Sequence, residues 1–332
     1  MSLLQPDAST FATLKSIPKT ILITGGSSGI GLATATYLST LNPSHNLILL
    51  DLNPPPSTFP HNPSHTLFLQ CDIMSWTSQR AAFETAYAHF NRIDAVFVNA
   101  GIMEYKDQLF TDELDGEGKL KEPDRRTLRV DLEGVGDTTK LAIHYLKKNG
   151  KDGGSIVLTA SVAGYLGFTG APFYSAAKHG DSQARLIMTT TLDSNIDIIP
   201  IGVVGLLRCL KAETSKLNIS ISCIAPGITI TPLLNASETS PSDRTPEAYA
   251  KQMAAAGVPI NRVESVALAV CFLLDQGMKY NGAGIFIQND KFWDFERGLA
   301  KSRASWMSQE MLDDFRGGRK AEVFDVSSKA KI

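Results

Sequence analysis

The chain has 332 residues, 43% of them hydrophobic, and a formal net charge of −2 at pH 7. That supplies a full core for one large α/β domain or two smaller ones. The near-neutral charge argues against nucleic-acid or membrane-surface partners. The four cysteines (Cys71, Cys209, Cys223, Cys271) are far apart and form no Cys-x-x-Cys pair. They read as buried thiols of a reducing, cytoplasmic protein, not as a disulfide framework or a zinc site. No stretch is long enough to span a membrane, and the N-terminus lacks the basic start and apolar core of a secretory signal. The final Ala330-Lys331-Ile332 faintly resembles the peroxisomal Ser-Lys-Leu address, a weak alternative to the cytoplasm.

In chain order, the first expected strand is "TILIT" (20–24) and the first helix covers 29–40. Between them lies "TGGSSGIG", with glycines at 25, 26, 29 and 31. A dinucleotide's pyrophosphate needs a tight turn, close backbone approach and free N–H groups at a helix N-terminus. Thr24, Gly25, Ser27, Ser28, Gly29, Ile30 and Gly31 are therefore candidate cofactor contacts. The second strand, "NLILLD" (46–51), ends in Asp51. A carboxylate there accepts from the adenosine ribose hydroxyls and repels a 2′-phosphate. No arginine adjoins it, so NAD is favoured over NADP. The Pro-rich loop 53–65 carries His61 and His65 but no neighbouring carboxylate or cysteine, so no metal site is expected. The third strand, "TLFLQCD" (66–72), places Asp72 and Ile73 near the adenine.

A helix over 76–90 leads to the fourth strand, "DAVFVNA" (94–100). Asn99, Ala100 and Gly101 close it with small residues that leave room for a cofactor. A helix over 123–148 and the strand "SIVLTAS" (155–161) follow, ending in Ser161. Tyr174 and Lys178, four apart, share one face of the next helix, 173–180 continued by 203–214. An ammonium near a phenol favours the phenolate and moves a group of pKa ~10 toward the range of a general base. A serine hydroxyl can hold the substrate oxygen as charge develops on it. The strand "ISISCIAP" (219–226) opens "PGITIT", where Pro226, Gly227, Ile228, Thr229 and Thr231 are further cofactor candidates only by resemblance to a family motif. Helices over 246–255 and 263–274, the strand "GIFIQ" (284–288) and a helix over 292–316 complete the pattern. Apolar strands alternating with helices predict a doubly wound parallel sheet covered on both faces.

These motifs, in this order, resemble the short-chain dehydrogenase/reductase family: Thr-Gly-x-x-x-Gly-x-Gly at 24–31, Asn-Ala-Gly at 99–101, Ser161, Tyr-x-x-x-Lys at 174–178 and Pro-Gly-x-x-x-Thr at 226–231. The resemblance covers roughly residues 18–290, with 291–332 as a helical extension. It implies a Rossmann domain of about seven parallel strands. It further implies Tyr174 as acid/base, Lys178 holding the nicotinamide ribose and lowering the tyrosine pKa, Ser161 orienting substrate, Thr231 near the carboxamide, and a homo-oligomer, dimer or tetramer. Asp51, Asp72 and the long tail look most like NAD-dependent enzymes of the 15-hydroxyprostaglandin dehydrogenase type and their fungal secondary-metabolism relatives.

The sequence departs from the family pattern twice. Asp131 stands where the family usually has an asparagine that helps hold a relay water, which puts the relay in doubt. And 181–202 interrupts the catalytic helix: without it the text reads "YSAAKHG–VVGLLRCLKAE", an unbroken apolar stripe at Val203, Leu206, Leu207 and Leu210. The segment carries three successive threonines, an Asp-Ser-Asn turn and Pro200, none suited to a helix interior. It is either a true excursion or an in-frame intron left in the coding sequence, and the seamless flanks favour the intron.

The expectation is thus an NAD-dependent oxidoreductase acting on a secondary alcohol or ketone of a mostly apolar small molecule. Its pocket draws on 102–105, on 162–173 with Leu166, Phe168 and Phe173, and on a lid-like stretch at 232–259. Two alternatives stay open: a dinucleotide-binding protein with impaired chemistry, and a family member recruited to a non-redox step.

Overall fold

The apolar runs form strands because their β-branched and leucine side chains fill both faces of one sheet. In this computed structural model residues 3–5, 10–104, 106, 108–179, 202–235 and 245–320 are described. The strands are β1 (Leu3–Leu4), β2 (Thr20–Thr24), β3 (Asn46–Asp51), β4 (Thr66–Gln70), β5 (Ala95–Val98), β6 (Gly154–Thr159), β7 (Ile219–Pro226), β8 (Gly284–Gln288) and β9 (Lys291–Asp294). Among the described residues they make one sheet in the order β1-β9-β8-β7-β6-β5-β2-β3-β4. β2 to β8 run parallel, and β9 and β1 add antiparallel at one edge. This is the doubly wound Rossmann arrangement that the alternating pattern predicts. The chain reverses direction across the sheet between β2 and β5, which pair as Ile21↔Ala95 and Ile23↔Phe97. Ligands of such sheets bind in the crevice beyond the carboxyl ends of the strands at that switch point.

The helices are α1 (Ala12–Ser16), α2 (Gly29–Leu41), α3 (Trp76–Phe90), α4 (Arg126–Leu128), α5 (Val135–Leu146), α6 (Pro172–Lys178), α7 (Val203–Lys216), α8 (Pro246–Ala255), α9 (Val263–Gln276), α10 (Phe295–Ser302) and α11 (Gln309–Lys320). Alternate strand residues serve opposite layers. Leu22, Ile48, Val96 and Ile156 pack with Phe83, Leu141, Leu146 and Leu207 of α3, α5 and α7. Ile21, Ile23, Phe97 and Val157 pack with Leu38, Val270 and Leu273 of α2 and α9. Each fully buried side chain of this kind contributes about 1.5–3 kcal/mol, so both layers are needed to hold the strand ends that carry the site.

Three expectations are corrected. The helix expected over 292–316 begins instead as β9. Asn289 and Asp290, with φ of 52° and 57°, make a two-residue turn that returns Lys291 to pair with Gln288, the left-handed geometry that suits a tight hairpin. The strand expected over 66–72 ends at Gln70, the residue that pairs with Asp51 at the end of β3. The helix expected over 123–148 holds a wider π turn, Arg129–Gly134, between α4 and α5.

Candidate active site

At the carboxyl end of β2 the chain must turn sharply into α2, and glycine makes this possible. Gly25 has φ of +64°, and a Cβ there would lie 3.0 Å from Ala100 Cα. A Cβ on Gly31 would come within 2.1 Å of Gly25 O, so the first turn of α2 sits against the loop only because Gly31 lacks one. Ser28 precedes α2 in extended conformation and makes no side-chain cap, and the first N–H groups of a helix have no partner within it. The buried Ser27 Oγ has no hydrogen-bond partner. Open N–H groups, an orphaned hydroxyl and a cradle closed to any Cβ fit a pyrophosphate.

Asp51 closes the crevice on the β3 side. Its carboxylate accepts from Ser27 N–H at 3.0 Å and from Leu52 N–H at 2.8 Å, which fixes it at the strand tip facing the turn. Asp72 lies beyond β4 on the same edge, accepting from Met74 N–H at 2.9 Å, and the carbonyl of Ile73 accepts from Gln79. On the other side Thr231 meets α2: a Cβ on Gly29 would lie 3.3 Å from its methyl group. Thr229 Oγ1 donates to Gly227 O, and Gly227 N–H to Ile287 O, so Pro226–Thr231 is a tied loop beside the turn.

Thr24 and Asn99 serve mainly as braces. Thr24 Oγ1 accepts from the N–H groups of Asn99 and Ala100 at 2.9 and 3.1 Å. Asn99 Nδ2 donates to the carbonyls of Thr24 and Gly25, and its Oδ1 accepts from Thr159 Oγ1 at 3.2 Å. The carbonyl of Thr159 in turn accepts from Lys178 Nζ at 3.1 Å. A short run of hydrogen bonds thus joins the lysine of α6 to the glycine turn.

Ser161, Tyr174, Lys178 and Asp131 converge. Lys178 and Asp131 are 3% and 0% exposed, and Lys178 Nζ lies 3.0 Å from Asp131 Oδ2 and 5.7 Å from the centre of the Tyr174 ring. Asp131 Oδ1 accepts from Ile102 N–H at 2.7 Å. Gly101 lies over this carboxylate, a Cβ there falling 3.2 Å from Oδ2. Ser161 Oγ accepts from Ala163 N–H at 3.1 Å, which occupies a lone pair and frees the hydroxyl proton for another acceptor. Burial works to lower the Lys178 pKa, but Asp131 and Tyr174 raise it and the net direction is up. For Tyr174 burial raises the phenol. Lys178 pulls it down, as its place on the helix predicts, Asp131 pushes it up and the bond with Ser161 pulls it down. The net direction is upward, so Lys178 alone does not bring this phenol below its ordinary range.

Glu104 falls within the pocket stretch expected at 102–105, with no role of its own assigned there, and Asn261 carries no sequence signal. Glu104 Oε2 accepts from Tyr174 N–H at 3.0 Å. The fully buried Asn261 bonds the nicotinamide-side loop: its N–H donates to Ile228 O, its carbonyl accepts from Ile230 N–H, and Nδ2 donates to Ile287 O at 3.0 Å. Both act across long sequence separations, where periodicity gives no warning. Leu166 and Phe168, expected in the pocket, are 57% and 49% exposed on the loop between Ser161 and α6. Tyr105 and 236–244, from the expected pocket and lid, lie outside the described residues, as do 180–201 and the Ala330-Lys331-Ile332 terminus. Among the described residues no helix is long and apolar enough to cross a membrane.

The family model for short chain dehydrogenases matches residues 19–197. The chain is 32% identical over 334 residues to the short-chain dehydrogenase/reductase prx4 of Penicillium roqueforti, covering 93% of this chain and 88% of that one. It is 28% identical over 230 residues to the mouse (Mus musculus) 15-hydroxyprostaglandin dehydrogenase [NAD(+)], with 66% and 71% covered. Among solved structures, levodione reductase superposes with a TM-score of 0.61 at 26% identity, over 82% of this chain and 96% of that one. The chain belongs to the short-chain dehydrogenase family and is an oxidoreductase acting on hydroxyl or carbonyl groups with a nicotinamide dinucleotide.

Proposed function

We propose that this protein transfers a hydride between NAD and a secondary alcohol or ketone carbon of a mostly apolar small molecule. The observation that carries the reading is the convergence of Tyr174, Lys178 and Ser161 at the carboxyl ends of the inner strands, with Lys178 joined by hydrogen bonds to the glycine turn. Bound NAD supplies the carbon that accepts the hydride. Tyr174 takes the alcohol proton, Ser161 donates to the substrate oxygen, and Lys178 holds positive charge beside the phenol. Asp51 supports NAD, because a carboxylate held at the strand tip opposes a 2′-phosphate, and the mouse relative is named for NAD(+). Leu166 and Phe168, exposed beside Ser161, support an apolar substrate. The reading takes the chain as a cytoplasmic homo-oligomer, in keeping with the family resemblance.

The test is a screen of NAD and NADP against apolar secondary alcohols, with Tyr174→Phe as control. Turnover with NAD is expected, and Tyr174→Phe should lower kcat by about 10²–10⁴-fold, the usual contribution of a positioned acid/base. Turnover with NADP alone removes the NAD assignment, and an unimpaired Tyr174→Phe removes the mechanism. One observation favours a second reading, a dinucleotide binder with impaired chemistry: directly after Lys178 the backbone leaves the helix at His179, with ψ of −178°. Tight NAD binding without turnover on any alcohol would support it.

A further inference from the structure

We propose that Asp131 is a positioning residue that raises the pH range in which Tyr174 works, by holding a carboxylate against the ammonium of Lys178. This rests on the dehydrogenase reading above and specifies how its base is tuned.

The geometry is specific to this chain. The π turn at Arg129–Gly134 carries Asp131 under the Asn-Ala-Gly loop, where the Ile102 N–H fixes one oxygen and Lys178 faces the other at 3.0 Å. Lys178 has three donors. One is directed to Thr159 O, and Asp131 Oδ2 lies 3.0 Å away as an ion pair outside hydrogen-bond geometry. A neutral amide at 131 would leave the ammonium's full field on the phenol. The carboxylate, fully buried beside it, cancels part of that field where screening is weak. Lys178 stays protonated while Tyr174 stays neutral to higher pH.

The surrounding charges do not supply the same effect. Glu104 approaches Tyr174 through the backbone N–H. His179 Nδ1 lies at Ala163 O. On α4, Arg126 is paired with Asp124. Arg208 of α7 grips Glu296 at 2.7 Å, with Tyr165 against Cys223 beside it. Arg129 and Glu133 flank Asp131 on the π turn, and the charges that move the phenol are those of Lys178 and Asp131.

The experiment compares pH profiles of kcat for alcohol oxidation in the wild type and Asp131→Asn. Asparagine keeps an oxygen for Ile102 N–H, removes the charge and turns an amide NH2 in place of Oδ2 toward Lys178. Phenolate is the active form in oxidation, so activity rises with pH through the tyrosine pKa. Asp131→Asn should move that rise to lower pH by about one unit or more, the size expected for removing a unit charge nearby in a buried site. A merely structural role would lower kcat at every pH without moving the limb, and that outcome overturns the proposal. If the variant fails to fold, ultraviolet titration of the NAD-free wild type and of the smaller Asp131→Ser, each against its Tyr174→Phe counterpart, decides the matter. A Tyr174 phenolate forming at lower pH in Asp131→Ser than in wild type supports the proposal, and one forming at the same pH overturns it, since burial alone also raises the phenol. A wild type inactive with both dinucleotides defeats the dehydrogenase reading instead, which this titration distinguishes.

Discussion

Glu104 holds the candidate tyrosine from outside its own helix. The residue before α6 is Ala171, which supplies no side-chain cap, so the first turn depends on a partner elsewhere. The Glu104 carboxylate meets the N–H at the third residue of that turn, that of Tyr174 itself, and its charge suits the positive end of a helix. Losing such a cap costs about 0.5–2 kcal/mol, and here the cost falls on the residue that must be held within a few tenths of an ångström. Glu104→Ala should lower kcat by about 3- to 10-fold, while Glu104→Gln, which keeps an acceptor oxygen, should recover most of it. Equal loss in both variants would show that the hydrogen bond is not what matters. Ser161, Tyr174 and Lys178 were legible in the sequence because local spacing places them on a strand end and on one helix face, and Asp131 because it stands where the family it resembles usually has an asparagine. Glu104 was legible only as part of the pocket stretch 102–105 and Asn261 not at all, because each reaches its partner across the fold from a loop with no periodic pattern.

Among the elements, the catalytic helix shows most clearly how local sequence and tertiary packing compete. α6 ends at Lys178 and α7 begins at Val203, yet Gly202 lies directly against the turn that precedes it. A Cβ on Gly202 would fall 2.1 Å from His179 O and 2.8 Å from Ala176 O. The chain therefore returns to the place it left, and α7 buries Val203, Val204 and Leu207 in the same core as its sequence stripe requires. The intervening 180–201 lies outside the described residues. Joining His179 to Gly202 gives the same sequence as joining Gly180 to Val203, since both junction residues are glycine. The joined protein recovers an uninterrupted helix and removes the entropy of closing a long loop, which costs on the order of several RT. Its kcat/KM should exceed that of the full chain by about tenfold or more, with a higher thermal midpoint. A full-length chain as active and as stable as the joined one would show that the segment is a tolerated excursion. The stripe on both sides of the gap was readable from the sequence. The π turn that brings Asp131 to Lys178 was not, because an extra residue in a helical turn changes no hydrophobic pattern that a reader can count.

At the scale of the whole molecule, both chain ends close the sheet. β9 pairs with β8, and β1 pairs in turn with β9 through Leu3↔Trp293 and Leu4↔Phe292. α10 then brings Phe295 onto Phe286 at 5.1 Å and Tyr165 at 4.9 Å, and Glu296 receives two nitrogens of Arg208. Tyr165 follows Ser161 by four residues, so this far edge is joined to the substrate side of the site through one loop. Truncation after Asp290 removes the buried Phe292, Asp294, Glu296 and Leu312, leaves Arg208 and Tyr165 without their partners, and exposes the β8 edge. Two or three lost aromatic and aliphatic anchors amount to about 5 kcal/mol, which for a chain of this size lowers the thermal midpoint by on the order of 10 °C. The truncated protein should also aggregate through its bare edge and lose turnover more than NAD affinity, because the disturbed loop carries Ser161, whereas the glycine turn follows β2, five strands on from β9. Thermal unfolding and NAD titration of the truncated protein measure both effects. An unchanged midpoint would mean that residues beyond 290 merely decorate the sheet, and NAD affinity falling as steeply as turnover would mean that the damage spreads past the Ser161 loop.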